Sequence, residues 1–192
     1  CNISKVTPLE SIDYIIINHV EPDHSGAMPA LAKACPNAKF IISMAGKNEA
    51  IQHYGDIFSF EVVKDGATLN IGKRNLVFAM MTMLHWPDSM ATYSVEDKIL
   101  FSNDAFGQHY ATSKRYDDEV DEADLFYEAR KYFANILWPY AKLIGKAITK
   151  VGGLEIKMIA PSHGIIWRKN IAKIVDCYSK WGRGVCDGSI VI

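Results

Sequence analysis

Several things are missing from this chain of 192 residues, and each absence removes a class of function. Net charge is almost absent: 21 Lys and Arg against 22 Asp and Glu leave −1. So even a balance excludes a general attraction to nucleic acid or to an anionic membrane. No apolar run approaches the roughly 20 residues of a membrane-spanning helix, and nothing reads as a signal peptide. Neither GxGxxG nor a Walker-type GxxxxGK loop is present, which removes the usual nucleotide loops. The four cysteines, Cys1, Cys35, Cys177 and Cys186, lack CxxC spacing. They point to scattered free thiols in a reducing, cytoplasmic setting rather than to a zinc or dithiol site. There are no repeats and no low-complexity tract. What remains is 49% hydrophobic, enough for one globular domain with a sizeable core.

Apolar strand-like runs alternate with helical stretches. Strands are expected at Tyr14 to Asn18, Lys39 to Ser43, Phe60 to Val63, Thr68 to Ile71, Asn75 to Thr82 and Ile156 to Ala160. Ala91 to Val95 and Lys98 to Ser102 read as a hairpin around Glu96-Asp97. Helices are expected over 25–34, broken by Pro29, and over 46–54 and 169–181, with one long helix over 121–149 kinked at Pro139. Strands in the middle flanked by helices argue for an α/β fold, with a mixed sheet or with two sheets and helices outside.

The densest chemistry lies in His19-Val-Glu-Pro-Asp-His24, directly after the first strand. An extended backbone alternates its side chains, so His19, Glu21 and Asp23 are expected to point one way, with His24 near a helix start. Two carboxylates ~4 Å apart repel by roughly 4 kcal/mol at an effective dielectric of 20. A divalent cation converts that repulsion into ligation. Three further metal-capable residues repeat the pattern just past strand ends: His85 in Leu84-His-Trp-Pro-Asp88, Asp104 in Asn103-Asp-Ala-Phe-Gly107, and His163 in Pro161-Ser-His-Gly164. Strand ends on one sheet edge converge, so these seven side chains supply enough ligand for two metals with one carboxylate bridging. Trp86, Tyr110 and Tyr132 are candidates to shape the pocket. Asp88 and Ser89 are candidates to orient His85. His109 is a weaker candidate near Asp104, and His53 reads as surface.

At these residues the sequence resembles the metallo-β-lactamase superfamily, whose pattern is HxHxDH followed by separate His, Asp and His ligands. Here Glu21 makes the first motif HxExDH. With the segments Leu84-His-Trp-Pro-Asp-Ser-Met90, Phe101-Ser-Asn-Asp-Ala-Phe-Gly107 and Pro161-Ser-His-Gly164, the chain closely resembles the flavodiiron proteins from about residue 13 onward. The resemblance implies an αββα sandwich and two iron ions. His19, Glu21 and His85 would hold one iron, Asp23 and His163 the other, and Asp104 would bridge. His24 would either bind the second iron or swing aside for water.

The resemblance further implies reduction of O₂ to water, or of NO to nitrous oxide. Electrons would come from FMN on a flavodoxin-like domain, reached across a head-to-tail homodimer or within a homotetramer. The upstream donor would be a rubredoxin, a deazaflavin or a reductase. Glu21 adds negative charge and a hard oxygen donor, which favours the ferric state. The rival enzyme reading is a dinuclear zinc hydrolase similar to glyoxalase II or ribonuclease Z, which would only activate water. The non-enzyme rival is a dimerisation module that binds no metal.

Residue 1 is Cys, the ligand cluster arrives after 18 residues, and Gly188 to Ile192 reads as a strand just begun. These features predict a diiron domain over 1–187, lacking N-terminal strands. They also predict that 188–192 begins the linker to a flavodoxin-like FMN domain.

Overall fold

The computed structural model describes residues 2–185. The expected strand at 188–192 lies outside the described residues, as do Cys1 and Cys186. Two sheets form. β1 (Tyr14–Ile17) is followed by two short helices, α1 (Pro22–Ser25) and α2 (Met28–Ala34), then β2 (Lys39–Ser43), α3 (Met44–Tyr54) and β3 (Phe60–Val63). These three strands pair in parallel in the order β1-β2-β3. The second sheet holds β4 (Thr68–Asn70), β5 (Asn75–Met80), β6 (Met90–Ser94) and β7 (Ile99–Asn103), which pair antiparallel in sequence order. After α4 (Glu122–Tyr132) and α5 (Ala141–Val151), β8 (Met158–Pro161) joins parallel to β7, and α6 (Ile171–Gly182) follows.

Alternation along the strands assigns the layers. In β2, Phe40 and Ile42 pack with Met28, Ala50 and Leu31 on the α2–α3 side. Ile41, between them, faces the other way and meets Leu76, Phe78 and Met90 of the second sheet. The far face of that sheet carries Ala91, Tyr93, Leu100 and Ile159 against Leu125, Ala129, Ile144, Ile174 and Tyr178 of α4, α5 and α6. The stack is therefore helix, sheet, sheet, helix, the expected αββα sandwich.

Three expectations are corrected. The helix after the first strand begins at Pro22, whose fixed φ and missing N–H suit a first helical position. Asp23 and His24 therefore sit on a helical turn, and the alternation ends at Glu21. Pro29 likewise starts α2 rather than breaking a helix. The single helix over 121–149 is four pieces: α4, a wider π turn over Phe133–Leu137, a 3-10 turn over Trp138–Tyr140 and α5. Pro139 cannot donate the backbone bond that a continuous helix needs there.

Candidate metal centre

All seven predicted ligand-type side chains meet at one edge of the sandwich. The chain reaches this edge through cross-links between the sheets. At the end of β1, the Asn18 carbonyl accepts from Met90 N–H at 2.9 Å, and the Asn18 side chain accepts from Thr92 Oγ1 at 2.7 Å. His19 is thereby delivered at a fixed height beside β6. Beyond β7, Gln108 is fully buried and clamps two loops together. Its Oε1 accepts from Ile165 N–H at 2.8 Å, and its Nε2 donates to Phe106 and Ile165 carbonyls at 3.1 Å. That clamp ties the loop carrying Asp104 to the loop carrying His163. Gln108 drew no attention in the sequence, since a buried amide looks like any loop glutamine.

The backbone around the ligands is strained. Met83 (φ 64°), Asn103 (φ 60°) and Phe106 (φ 68°) adopt left-handed conformations that non-glycine residues avoid, and they flank His85 and Asp104. Gly107 has a different reason for being glycine: a Cβ there would stand 2.9 Å from the Tyr132 ring. Its absence lets Tyr132 close over the site.

The polar atoms form two groups that share one residue. In the first, Glu21 Oε2 lies 3.2 Å from both His19 Nε2 and His85 Nε2. Asp104 Oδ2 lies 3.4 Å and 3.3 Å from the same two nitrogens. In the second, His163 Nε2 lies 3.2 Å from Asp23 Oδ2 and 3.3 Å from Asp104 Oδ1. His24 Nε2 lies 3.1 Å from that same Asp104 oxygen and 3.5 Å from Asp23 Oδ2. Asp104 thus gives one oxygen to each group.

These separations fit metal ions. Ligand atoms placed ~2.0–2.1 Å from a tetrahedral ion stand about 3.3 Å apart. His24 Nε2 and both Asp104 carboxylate oxygens are buried without a hydrogen-bond partner, although they lie within 3.1 Å of one another at the closest. Buried polar atoms normally find partners. Close atoms that do not bond each other, and instead converge on common points, are what ligands around ions present.

The electrostatics of the metal-free protein agree. Burial alone would depress His19 and His24, but contacts with Asp88 and Asp104 respectively outweigh it, and both imidazoles are raised above their ordinary value. Burial would raise Asp104. The surrounding histidines, His24 and His85 first, overcome that and hold it well below the usual carboxylate range. Burial and then the Asp104 charge push the Tyr132 phenol up, so its hydroxyl keeps its proton.

Asp88 requires a correction. It does not touch His85; its carboxylate receives His19 Nδ1 at 3.0 Å and Val20 N–H at 2.7 Å. This bond selects the tautomer that leaves the His19 Nε2 lone pair facing Glu21 and Asp104. Ser89 Oγ accepts from Trp86 N–H rather than orienting His85. Besides His19, at 5.6 Å, the rings next to His85 are Trp86, at 6.3 Å, and Tyr140, at 6.4 Å between centroids. Trp86 also meets His19 edge-on at 5.3 Å. Tyr132 and His109 pack beside His163, with centroids 6.0 and 5.7 Å away. Tyr110 packs against the larger core cluster, and His53 is exposed.

Two further residues escaped the sequence reading. Tyr140 is brought beside His85 by the turns around Pro139. Glu49, on α3, lies behind Asp88. Its own burial and the Asp88 charge push it up to about 7, against an opposing pull from His19.

With this geometry in hand, the chain can be compared with known proteins. The family model described as ODP family beta lactamase matches residues 1–164. A protein named nitric oxide reductase, from Moorella thermoacetica, is 46% identical over 184 residues, 94% of this chain and 46% of that protein. The flavodiiron protein from Giardia intestinalis superposes with a TM-score of 0.92 at 39% identity, over 95% of this chain and 45% of that one. The rubredoxin oxygen:oxidoreductase of Desulfovibrio gigas also superposes with a TM-score of 0.92, at 40% identity, over 95% and 47%. The chain therefore spans less than half the length of these relatives. On the match to the family model and these likenesses, the chain belongs to the ODP family of β-lactamase-like proteins, among the flavodiiron proteins.

Proposed function

We propose that this chain is the diiron-binding, catalytic domain of an oxidoreductase that reduces NO to nitrous oxide, or O₂ to water. The reading is carried by Asp104, whose two oxygens stand in two separate groups of ligand-type atoms. His19, Glu21 and His85 would hold one iron, and Asp23, His24 and His163 the other. Iron bound there supplies reversible one-electron chemistry and open positions for a diatomic ligand. The names of the Moorella and Desulfovibrio relatives support the choice of NO and O₂.

The protein's own groups have definable tasks. Asp88 holds the His19 Nδ1 proton and so aims Nε2 inward. Glu21 replaces a neutral imidazole by a carboxylate, which offsets metal charge and favours the higher oxidation state. Tyr132 keeps its phenolic proton and offers a hydrogen-bond donor on the His163 side, with the exposed His109 ring 4.8 Å away as the link to bulk water. Trp86 and Tyr140 limit water at the His85 side.

Electrons would arrive from FMN on a flavodoxin-like domain, presented across a head-to-tail dimer and replenished by a rubredoxin or similar donor. One iron pair stores two electrons between its ferrous and ferric states, whereas O₂ reduction to water takes four. A cytoplasmic setting accords with this reading. No helix among the described residues is long and apolar enough to cross a membrane.

The test is anaerobic loading with ferrous iron. Two irons per chain, near-ultraviolet absorption on oxidation, and NO consumption once a reduced FMN protein is added are expected. Zinc must be excluded during loading, because many nitrogen and oxygen sites prefer it to ferrous iron. A chain that rejects iron, or that with zinc hydrolyses thioesters or phosphodiesters, would overturn the proposal. Steady NO or O₂ reduction with no flavin present would overturn the dependence on FMN.

A further inference from the structure

The largest core cluster is not filled completely. Where α5 and α6 cover the far face of the second sheet, a cavity of about 20 Å³ is bounded by Met81, Leu84, Ala105, Phe106, Ile144 and Ala147, among others. Tyr178 is the one lining residue with a polar side-chain group, and its hydroxyl is already engaged, accepting from Phe106 N–H at 2.7 Å. A space of this kind has room for about one water but offers it at most one polar side-chain group, the Tyr178 hydroxyl, of the 2–4 partners a buried water needs; apolar cavities stay dry and take up apolar guests such as xenon.

Its position matters more than its size. Leu84 immediately precedes His85, and Ala105 immediately follows Asp104. Two walls of the cavity therefore lie one residue from two candidate ligands. On the other side, a groove of about 170 Å³ runs between α5 and the end of β5 and shares Met81, Leu84 and Ala147 with the cavity. Thr82, Lys146 and Lys150 on its rim are exposed. From solvent inward, the groove and the cavity share a wall, and the cavity's Leu84 and Ala105 adjoin His85 and Asp104 in the chain.

We propose that this groove and cavity form an apolar route by which a small uncharged diatomic gas, O₂ or NO, reaches the metal centre from the α5 side. The inference rests on the proposed function for the identity of the gas. An apolar gas partitions out of water into a dry space, and a passage one water wide admits a diatomic molecule while refusing ions and organic solutes. Ala147 is the place to close the route, since it borders both spaces and a larger side chain there would enter them.

Xenon tests the cavity without any metal. Methyl NMR of the chain under xenon pressure should shift Leu84, Ala105, Ile144 and Val151, and Ala147→Phe should abolish those shifts. Ala147→Leu is the milder filling if the larger ring impairs folding. With ferrous iron loaded, stopped-flow mixing with NO should show a several-fold slower association in the filled variant at unchanged iron content. Absent xenon shifts overturn the proposal. So does NO association that stays fast when xenon is excluded, which would leave a packing gap and no route. If neither the unsubstituted chain nor the variant binds iron or NO, the functional reading fails. The xenon shifts alone then decide whether the cavity takes an apolar guest.

Discussion

His19 and His24 stand five positions apart with ring centroids at 5.0 Å, yet the protein holds them differently. His19 is 3% exposed and braced from behind by Asp88, which is itself 2% exposed, bonded to Val20 N–H, and anchored through its carbonyl by Ser43. His24 sits on a one-turn helix. Its Nε2 has no hydrogen-bond partner, and the two side chains that its group does not share with the first, Asp23 and His163, are 51% and 29% exposed. His19 is held in place before any ion arrives, by a buried carboxylate that is itself anchored. His24 has no such brace, and Asp23 beside it is open to solvent. A centre that must hold its metal and also exchange small molecules has use for both.

The largest effect erases the comparison altogether. Asp104 belongs to both halves, so Asp104→Ala should reduce bound iron from two per chain to almost none, read by metal analysis after anaerobic loading. Retention of one tightly bound iron would mean that the carboxylate is not shared.

Asp88→Ala should strike the braced half alone. Removing a partner that orients a metal-binding histidine typically costs 10–100-fold in affinity. The abandoned Val20 N–H adds a stability loss of about 1–3 kcal/mol, measurable by denaturant titration. His24→Ala should do the reverse, weakening one metal while leaving the unfolding midpoint nearly unchanged. Equal loss of both metals in either variant would mean that the halves act as one unit. Proton competition offers a gentler probe. Both imidazoles are raised above 6.5, so protons compete with metal at a higher pH than they would for a free imidazole. Metal affinity should fall as pH drops through that raised range.

The same contrast explains what was legible in the sequence. The candidate ligands stood out because four metal-capable residues crowd one strand end, and three others each follow an apolar run. β2 matches its expected bounds because a short apolar, β-branched run has one good use in a sheet buried on both faces, and β3 matches its own as the half-buried edge strand beside it. What stood behind the ligands was not legible. Asp88 is near His85 in sequence but belongs to His19, a pairing across 69 residues that only the packing of β1 against β6 creates. Glu49 and Gln108 carry no motif, and their meaning comes from burial. The π turn at Phe133–Leu137 also has no local signal. It follows the packing of Phe133 against Tyr178 and Trp181 of α6, 5.1 and 5.2 Å away.

Glu49 offers the smallest and sharpest test of the braced half. Its carboxyl is pushed up to about 7 from an ordinary 4.5, by burial and by the Asp88 charge. Between those values the folded metal-free chain holds a proton that the unfolded chain has released. Stability therefore falls as pH rises from about 4.5 to about 7, and is level with respect to this group on either side. Glu49→Gln presents an uncharged donor to Asp88 at every pH. The variant should gain on the unsubstituted chain across that window and run parallel to it above, as read by urea titrations at several pH values. His19 and His24 lose stability in the same direction but only from 6.5 upward, so the difference between about 4.5 and 6.5 belongs to Glu49. Parallel curves from pH 4 to 8 would mean that Glu49 keeps its ordinary value of 4.5 in the folded chain and is ionised above it. Asp88 would then brace His19 beside a second negative charge rather than beside a shared proton.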